Sequence, residues 1–268
     1  MIIVHGGPAS QPSRAVFWTC LLKAIPFRIV PPDYLNTAPL ESLNPRKQVP
    51  VLEDGEFALF EMAAIMIYLC EKYGGDDMLP KTVEARARVH QYLHMHHSLS
   101  RSATMKLMAP HVTVAFREGL ETKMARDEAN DSVMDPMQRT MLLAALADPE
   151  MLTNGRRTAA LISRVIEKSY FSDGDVFLVG NRPTIADIAC YSELAQLRWA
   201  GLFDFEGFEK INRWFEIMAE LPYHDTIHQY NVALGDILAV PNTAENFAAA
   251  TQAGMQALAE LGIPVENS

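Results

Sequence analysis

Ser10-Gln11-Pro12-Ser13 sets two hydroxyls around a proline, immediately before the apolar run Ala15, Val16, Trp18, Cys20, Leu21 and Leu22. That run reads as a helix with Pro12 in its first turn, where a missing N–H costs nothing. An O–H donor beside the partial positive charge of a helix N-terminus suits an anion, so this corner is the first candidate for chemistry. Serine is also among the best N-caps, and taken alone the tetrapeptide reads as a cap. Two further places carry polar groups of interest. Val49-Pro50 is an X-Pro step before a strand-like run, and Glu61 opens another apolar helix, where its carboxylate could take a ligand's ammonium or complement the helix dipole. A third set, His90, His94, His97 and Arg101, recurs at helical spacing. Histidines at i and i+4 can share a zinc ion. With no H-E-x-x-H pattern and no clear third ligand, no metal is expected, and His94, His97 and Arg101 read instead as the lining of a cleft, where they could polarise a leaving group.

Those residues need elements to hold them. Ile2-Ile3-Val4 and Phe27-Arg28-Ile29-Val30 are short apolar runs closed by Gly-Gly-Pro and Pro-Pro, the pattern of buried strands. Pro50 to Phe60 is a hairpin turning at Asp54-Gly55. Glu61 then starts a helix through Ala64, Ile65, Ile67, Tyr68 and Leu69 that stops at Gly74-Gly75. The order β-α-β, connection, β-β-α within about 75 residues is thioredoxin-like, with a parallel first crossover and an antiparallel hairpin. Beyond Thr82 helical periodicity takes over, over Val83 to Leu107, Ala159 to Tyr170, Ile185 to Trp199 and Phe208 to Leu221. Thr184-Ile185-Ala186-Asp187 has the form of a capping box. The expected organisation is therefore an α/β N-terminal thioredoxin-like domain at residues 1–76 followed by an all-α C-terminal helical domain at 83–240. A partly irregular insertion is expected at about 128–155 and a helical extension at 241–268, with Ala244 to Leu261 as its helix.

In that arrangement Ser10 to Ser13 stands where redox relatives carry C-x-x-C. With hydroxyls in place of both sulfurs, the chain itself performs no thiol–disulfide exchange, but a hydroxyl can stabilise another molecule's thiolate. A cysteine-type thiol ionises near ~8.5. Lowering that by about two units takes roughly 2.7 kcal/mol, within reach of one charge-assisted hydrogen bond plus a helix end. Val49-Pro50 falls where such folds hold a cis-proline, leaving the backbone of Val49 open to an extended peptide.

Composition narrows the partners. The 268 residues are 49% hydrophobic, enough to fill real cores. A net charge of −10 opposes binding to nucleic acid or anionic lipid. An anionic ligand therefore depends on local cations and backbone N–H groups. No secretory signal and no apolar run of about 18 residues is evident, so a cytoplasmic protein with no membrane contact is expected. Three scattered cysteines, Cys20, Cys70 and Cys190, read as buried thiols in a reducing compartment. Fourteen methionines are mostly core filling, with Met105 and Met108, a turn beyond Arg101, as candidates for an adaptable apolar pocket.

Four segments together resemble a theta-class glutathione transferase. They are Ser10-Gln11-Pro12-Ser13-Arg14-Ala15-Val16; Asn44-Pro45 with Gln48-Val49-Pro50, Leu52 and Asp54-Gly55; Glu61 with Ala64-Ile65 and Tyr68-Leu69; and Ala85 to His90 with Tyr92-Leu93. The likeness returns at Phe177 to Leu194. The resemblance implies the glutathione transferase fold, glutathione as co-substrate with no metal, and a role in detoxification as a homodimer. It implies that Ser10 holds the glutathione thiolate and that Gln11, Gln48, Val49, Pro50, Glu61 and Met62 bind the tripeptide. Val49 would pair with the cysteinyl backbone, and Glu61 would take the γ-glutamyl group. His94, His97, Arg101 and Met105 would border a small hydrophobic electrophile, Arg101 at a family position facing that pocket, while His90 falls in an interdomain packing region. Met62 stands where the family has Ser or Thr and offers only its backbone N–H, and Arg46-Lys47 would supply a local cation. A non-catalytic binding or scaffold module, and a glutathione-dependent dehalogenase or peroxidase on the same fold, are the alternatives.

Overall fold

A computed structural model of the chain describes residues 1–32, 38–74, 78–129, 148–171 and 174–266. Strand β1 (Ile2–His5) is followed by helix α1 (Gln11–Leu22) and strand β2 (Phe27–Val30); β3 (Val51–Asp54), β4 (Phe57–Phe60) and α2 (Met62–Lys72) complete the first part. The sheet order is β2-β1-β3-β4. β1 and β2 run parallel with Val4 opposite Ile29, whereas β1–β3 and β3–β4 are antiparallel, the mixed sheet expected from the element order. Side chains alternate as period two demands: Ile2, Val4, Phe27 and Ile29 are buried and their neighbours less so. Gly55, with φ +66°, makes the β3–β4 turn, a conformation that costs a glycine little.

Helix α1 is buried on every side from Ser13 to Cys20, because it lies between the sheet and two later helices. The helical part comprises α3 (Val83–His96), a π-helical turn at His97–Arg101, α4 (Ser102–Ala129), α5 (Met151–Ser169), α6 (Ile185–Trp199), α7 (Glu209–Ala219), α8 (His224–Leu234) and α9 (Ala244–Glu260). Helix α6 is buried from Ile185 through Leu197, as the central helix of this part must be. Its capping box is formed: Asp187, fully buried, accepts from Thr184 N and Oγ1 at 2.9 and 2.8 Å, and also from Leu178 N at 2.7 Å and Trp214 Nε1 at 3.0 Å.

One expectation is corrected. The single helix over Val83 to Leu107 is interrupted at His97–Arg101, where the turn widens. Of the partly irregular insertion expected at 128–155, residues 128–129 belong to α4 and 151–155 to α5, while 130–147 lie outside the described residues.

The C-terminal end returns to the sheet. Helix α9 packs on α8, and Gly254 comes so near Pro8 that an added Cβ would lie 2.7 Å from the proline ring. Beyond it Val265 pairs with Ile29 in parallel, through Ile29 N to Pro264 O at 2.8 Å and Glu266 N to Ile29 O at 2.9 Å, and Arg28 meets the Glu266 carboxylate. The outer edge of β2 is thereby covered rather than left open to pairing. Among the described residues no helix is long and apolar enough to cross a membrane.

Candidate functional site

The loop Gly6 to Ala9 carries the chain from β1 to Ser10, which caps α1. A Cβ at Gly6 would fall 2.6 Å from Ser13 Oγ, so the loop lies directly on the helix start. Arg14, fully buried, holds it from beneath, donating to Pro8 O at 2.6 Å and to Ser192 O and Gln196 Oε1 on α6 at 3.3 and 2.9 Å. Ser10 Oγ accepts from Ser13 N at 3.4 Å. Capping uses the oxygen as acceptor and leaves the hydroxyl proton to donate elsewhere. Both readings of Ser10 are therefore compatible in one geometry. The three cysteines are buried away from this chemistry, and burial pushes the Cys20 and Cys190 thiols up.

Asn44 shapes the approach to Pro50: its Nδ2 donates to Gln48 O at 2.8 Å and its Oδ1 accepts from Arg46 N at 3.0 Å. The Val49–Pro50 peptide is cis. Glu61 stands at the N-cap of α2 with φ 72° and ψ 112°, a region that costs a non-glycine residue on the order of 1–3 kcal/mol. Its Oε1 accepts from Arg46 at 2.8 Å and its Oε2 meets His97 Nε2 at 3.2 Å. The hydrogen bond from His97, helped by Arg46 and opposed by partial burial, holds the Glu61 carboxyl below the usual range. Met62 buries its side chain in the core, so at the start of α2 it presents backbone. Lys47, the other expected cation, reaches Glu41 at 3.3 Å.

The π-helical turn separates residues that the spacing had placed on one face. His94 stays in the regular part of α3 and lines a surface cavity with Lys81, Arg86, His90 and Gln91. His97 instead bonds Glu61 at the start of α2, and Arg101 Nη1 donates to Gln11 Oε1 at 2.5 Å in the first turn of α1. One widened turn, a form that recurs at functional sites, thus carries side chains to both helix N-termini. Met105, one turn on, is half-buried and Met108 is buried in the core. The structure pairs Arg101 with Gln11, next to Ser10, and His97 with Glu61, and leaves His94 on another surface.

Sequence reading did not single out Glu193, His96 or the role of Arg14. Glu193 lies 1% exposed on α6, with Arg101 Nη1 at 3.3 Å and His96 Nε2 at 3.6 Å. Burial alone would push its carboxyl up, but Arg101 and His96 outweigh that and hold it down at about 2. The available signal was a carboxylate inside the apolar run Ile188 to Leu194, where an acid is rare unless paired. Among the described residues no group of three or more His, Cys, Asp or Glu side chains could hold a metal ion.

The chain as a whole is similar to known proteins. The sequence pattern of the "Glutathione S-transferase, N-terminal domain" matches residues 4–77, and that of the "Glutathione S-transferase, C-terminal domain" matches residues 131–222. Rat glutathione S-transferase theta-2 is 32% identical over 212 residues, 77% of this chain and 76% of the rat protein. Human glutathione S-transferase T1-1 in its apo form superposes with a TM-score of 0.70 at 24% identity, covering 97% of this chain and 98% of the human one. Human glutathione transferase theta-2, solved with glutathione and an unknown ligand, superposes with a TM-score of 0.69 at 24% identity, covering 97% and 99%.

Proposed function

The chain belongs to the glutathione S-transferase family, in its theta-like branch, and from that premise we propose that it conjugates the thiolate of glutathione to small electrophiles, with the Ser10 hydroxyl as the thiolate's donor. The observation that carries this reading is the geometry of Ser10, whose oxygen caps α1 as an acceptor while its O–H stays available beside the helix N-terminus. In the step itself the sulfur lone pair forms the new C–S bond, the bond to the leaving group breaks, and its electron pair departs with that group. The chain contributes proximity and a held anion rather than a nucleophile of its own.

In this reading Glu61 takes the γ-glutamyl ammonium, and the Met62 backbone N–H, with the α2 N-terminus, takes its carboxylate. Val49, ahead of Pro50, pairs with the cysteinyl backbone; Gln11 and Gln48 flank the tripeptide. Glutathione is the co-substrate of the proposed reaction, and human glutathione transferase theta-2 has been solved in complex with it. The electrophile lies against His97, Arg101 and Met105; His94, on its separate surface, is dropped from that set. We further assign the protein to the cytoplasm, as a detoxifying homodimer.

The test is product analysis with glutathione and a panel of benzylic, aryl and alkyl halides, epoxides and an organic peroxide. A thioether product from at least one electrophile, with turnover reduced at least tenfold in Ser10→Ala, is expected. Glutathione disulfide as the sole product would replace conjugation with peroxide reduction, and full turnover in Ser10→Ala would overturn the assignment of Ser10.

A further inference from the structure

Helix α6 carries a carboxylate in its middle that the reaction proposed above does not use. Glu193 is surrounded on its own helix by buried Cys190, Tyr191, Leu194 and Leu197. An acid in such a place is strongly destabilising unless it is well paired. The pairing is specific. Glu193 Oε1 accepts from Arg101 Nη1 at 3.3 Å, and the same nitrogen donates to Gln11 Oε1 at 2.5 Å. One guanidinium nitrogen is therefore gripped from two sides, by the first turn of α1 next to Ser10 and by the core of the helical part.

The base of this clamp is itself fixed. Thr104 Oγ1 donates to Ser100 O at 3.1 Å and Glu193 O at 3.3 Å, and buried Tyr92 meets Ser100 Oγ at 2.9 Å and His96 Nδ1 at 3.4 Å. His96 Nε2 faces the same Glu193 oxygen at 3.6 Å. Arg101, by contrast, keeps a quarter of its side chain exposed, and its Nη2 and Nε make no hydrogen bond to the described residues. A long arginine at such a rim would otherwise sample many orientations.

We propose that Glu193 is a positioning residue for Arg101: it fixes the guanidinium against Gln11 at the thiolate corner, so that the unspent N–H groups meet the electrophile's leaving atom in one orientation. This rests on the reading of the Ser10 corner given above. Glu193 touches neither glutathione nor electrophile and acts only through Arg101. The arrangement also balances charge, because Arg101 cancels a buried anion that would oppose a neighbouring thiolate.

A double-mutant cycle with glutathione and a benzylic halide tests it. Glu193→Gln is expected to lower kcat about ten- to a hundredfold, the scale of a misplaced catalytic group, with KM for glutathione within about twofold. Arg101→Ala is expected to lose at least as much, and the double variant no more than Arg101→Ala. Added guanidinium ion should restore part of kcat to Arg101→Ala but none to the double variant, a readout that general destabilisation does not produce and that stands even where Glu193→Gln folds poorly. Losses that multiply, or rescue that persists without Glu193, would overturn the proposal. Thiolate absorbance of bound glutathione on the same proteins separates the two readings: if wild type shows none, the glutathione assignment of the corner falls and this proposal with it; if wild type shows it and Ser10→Ala loses it, an additive cycle removes Glu193 alone.

Discussion

In the function proposed here, single side chains serve structure and chemistry together, and Glu61 shows the tension most clearly. Its backbone is held at φ 72°, where glycine would be more comfortable, and its carboxylate is shared by Arg46 and His97. Such strain persists only when the surroundings over-determine it, which is common at ligand sites. Exchanging Glu61 for glycine relieves on the order of 1–3 kcal/mol of strain. It gives up a half-exposed ion pair worth about 0–1 kcal/mol and adds unfolded-chain entropy of roughly 0.5–1 kcal/mol. Glu61→Gly is therefore expected to unfold at an unchanged or higher temperature while its KM for glutathione rises about ten- to a hundredfold, the loss of one charge-assisted hydrogen bond. Calorimetric melting together with steady-state kinetics checks both halves. An equal fall in stability and affinity would mean that Glu61 serves the fold rather than the ligand.

Among the elements, local patterns were the most legible. The strands, the Asp54-Gly55 turn and the Thr184–Asp187 cap all rest on neighbours within a few residues, and the structure forms each of them. The π-helical turn was not legible, since His90, His94, His97 and Arg101 fit regular helical spacing and only tertiary pull from Glu61, Gln11 and Glu193 favours the wider turn. The return of the C-terminus to Ile29 was equally hidden, because Val265 and Ile29 lie at opposite ends of the chain. Helix α9 reaches the loop ahead of Ser10 at Gly254, against Pro8. Gly254→Ala would gain about 1 kcal/mol of helix propensity, but its Cβ would sit 2.7 Å from a stiff proline ring. Overpacking of that kind costs typically about 1–3 kcal/mol. A net loss of stability, accompanied by a raised KM for glutathione as the Ser10 loop shifts, is expected from melting and kinetics; a stabilised, fully active variant would show that α9 does not press on the loop.

At the scale of the whole molecule, the seam between the sheet and the helices is packed with polar groups whose partners come from distant sequence. His228 on α8 is fully buried against Trp18, Tyr191 and Trp199, near Arg14. Burial first, then the Arg14 cation and His224, hold its imidazole well below the usual histidine range. The native state therefore keeps His228 neutral while the unfolded chain protonates it below about 6.5. Stability from this group is complete above that pH and is lost as pH falls toward the native value, at up to about 1.4 kcal/mol per pH unit. Asp187, pushed up to about 6 by burial, contributes with opposite sign: its stabilisation is complete below about 3.8 and lost as pH rises through 6. That term is common to wild type and to His228→Leu. The melting temperature of wild type is thus expected to fall faster than that of His228→Leu between pH 7 and 5, and parallel curves would place His228 outside the acid response. None of this seam was legible in the sequence, where Arg14 and His228 lie 214 residues apart, with Glu193 between them, and carry no local signature.

The chemistry proposed for Ser10 turns on one proton. Ultraviolet titration of glutathione bound to the wild-type chain and to Ser10→Ala reads the thiolate directly. A thiolate band is expected to appear near pH 6.5, about two units below the free thiol, and to shift up by at least one unit in Ser10→Ala, since a donor worth about 1.4 kcal/mol or more is removed. A bound thiol that ionises near 8.5 in wild type, or a low value unmoved by Ser10→Ala, would contradict the account.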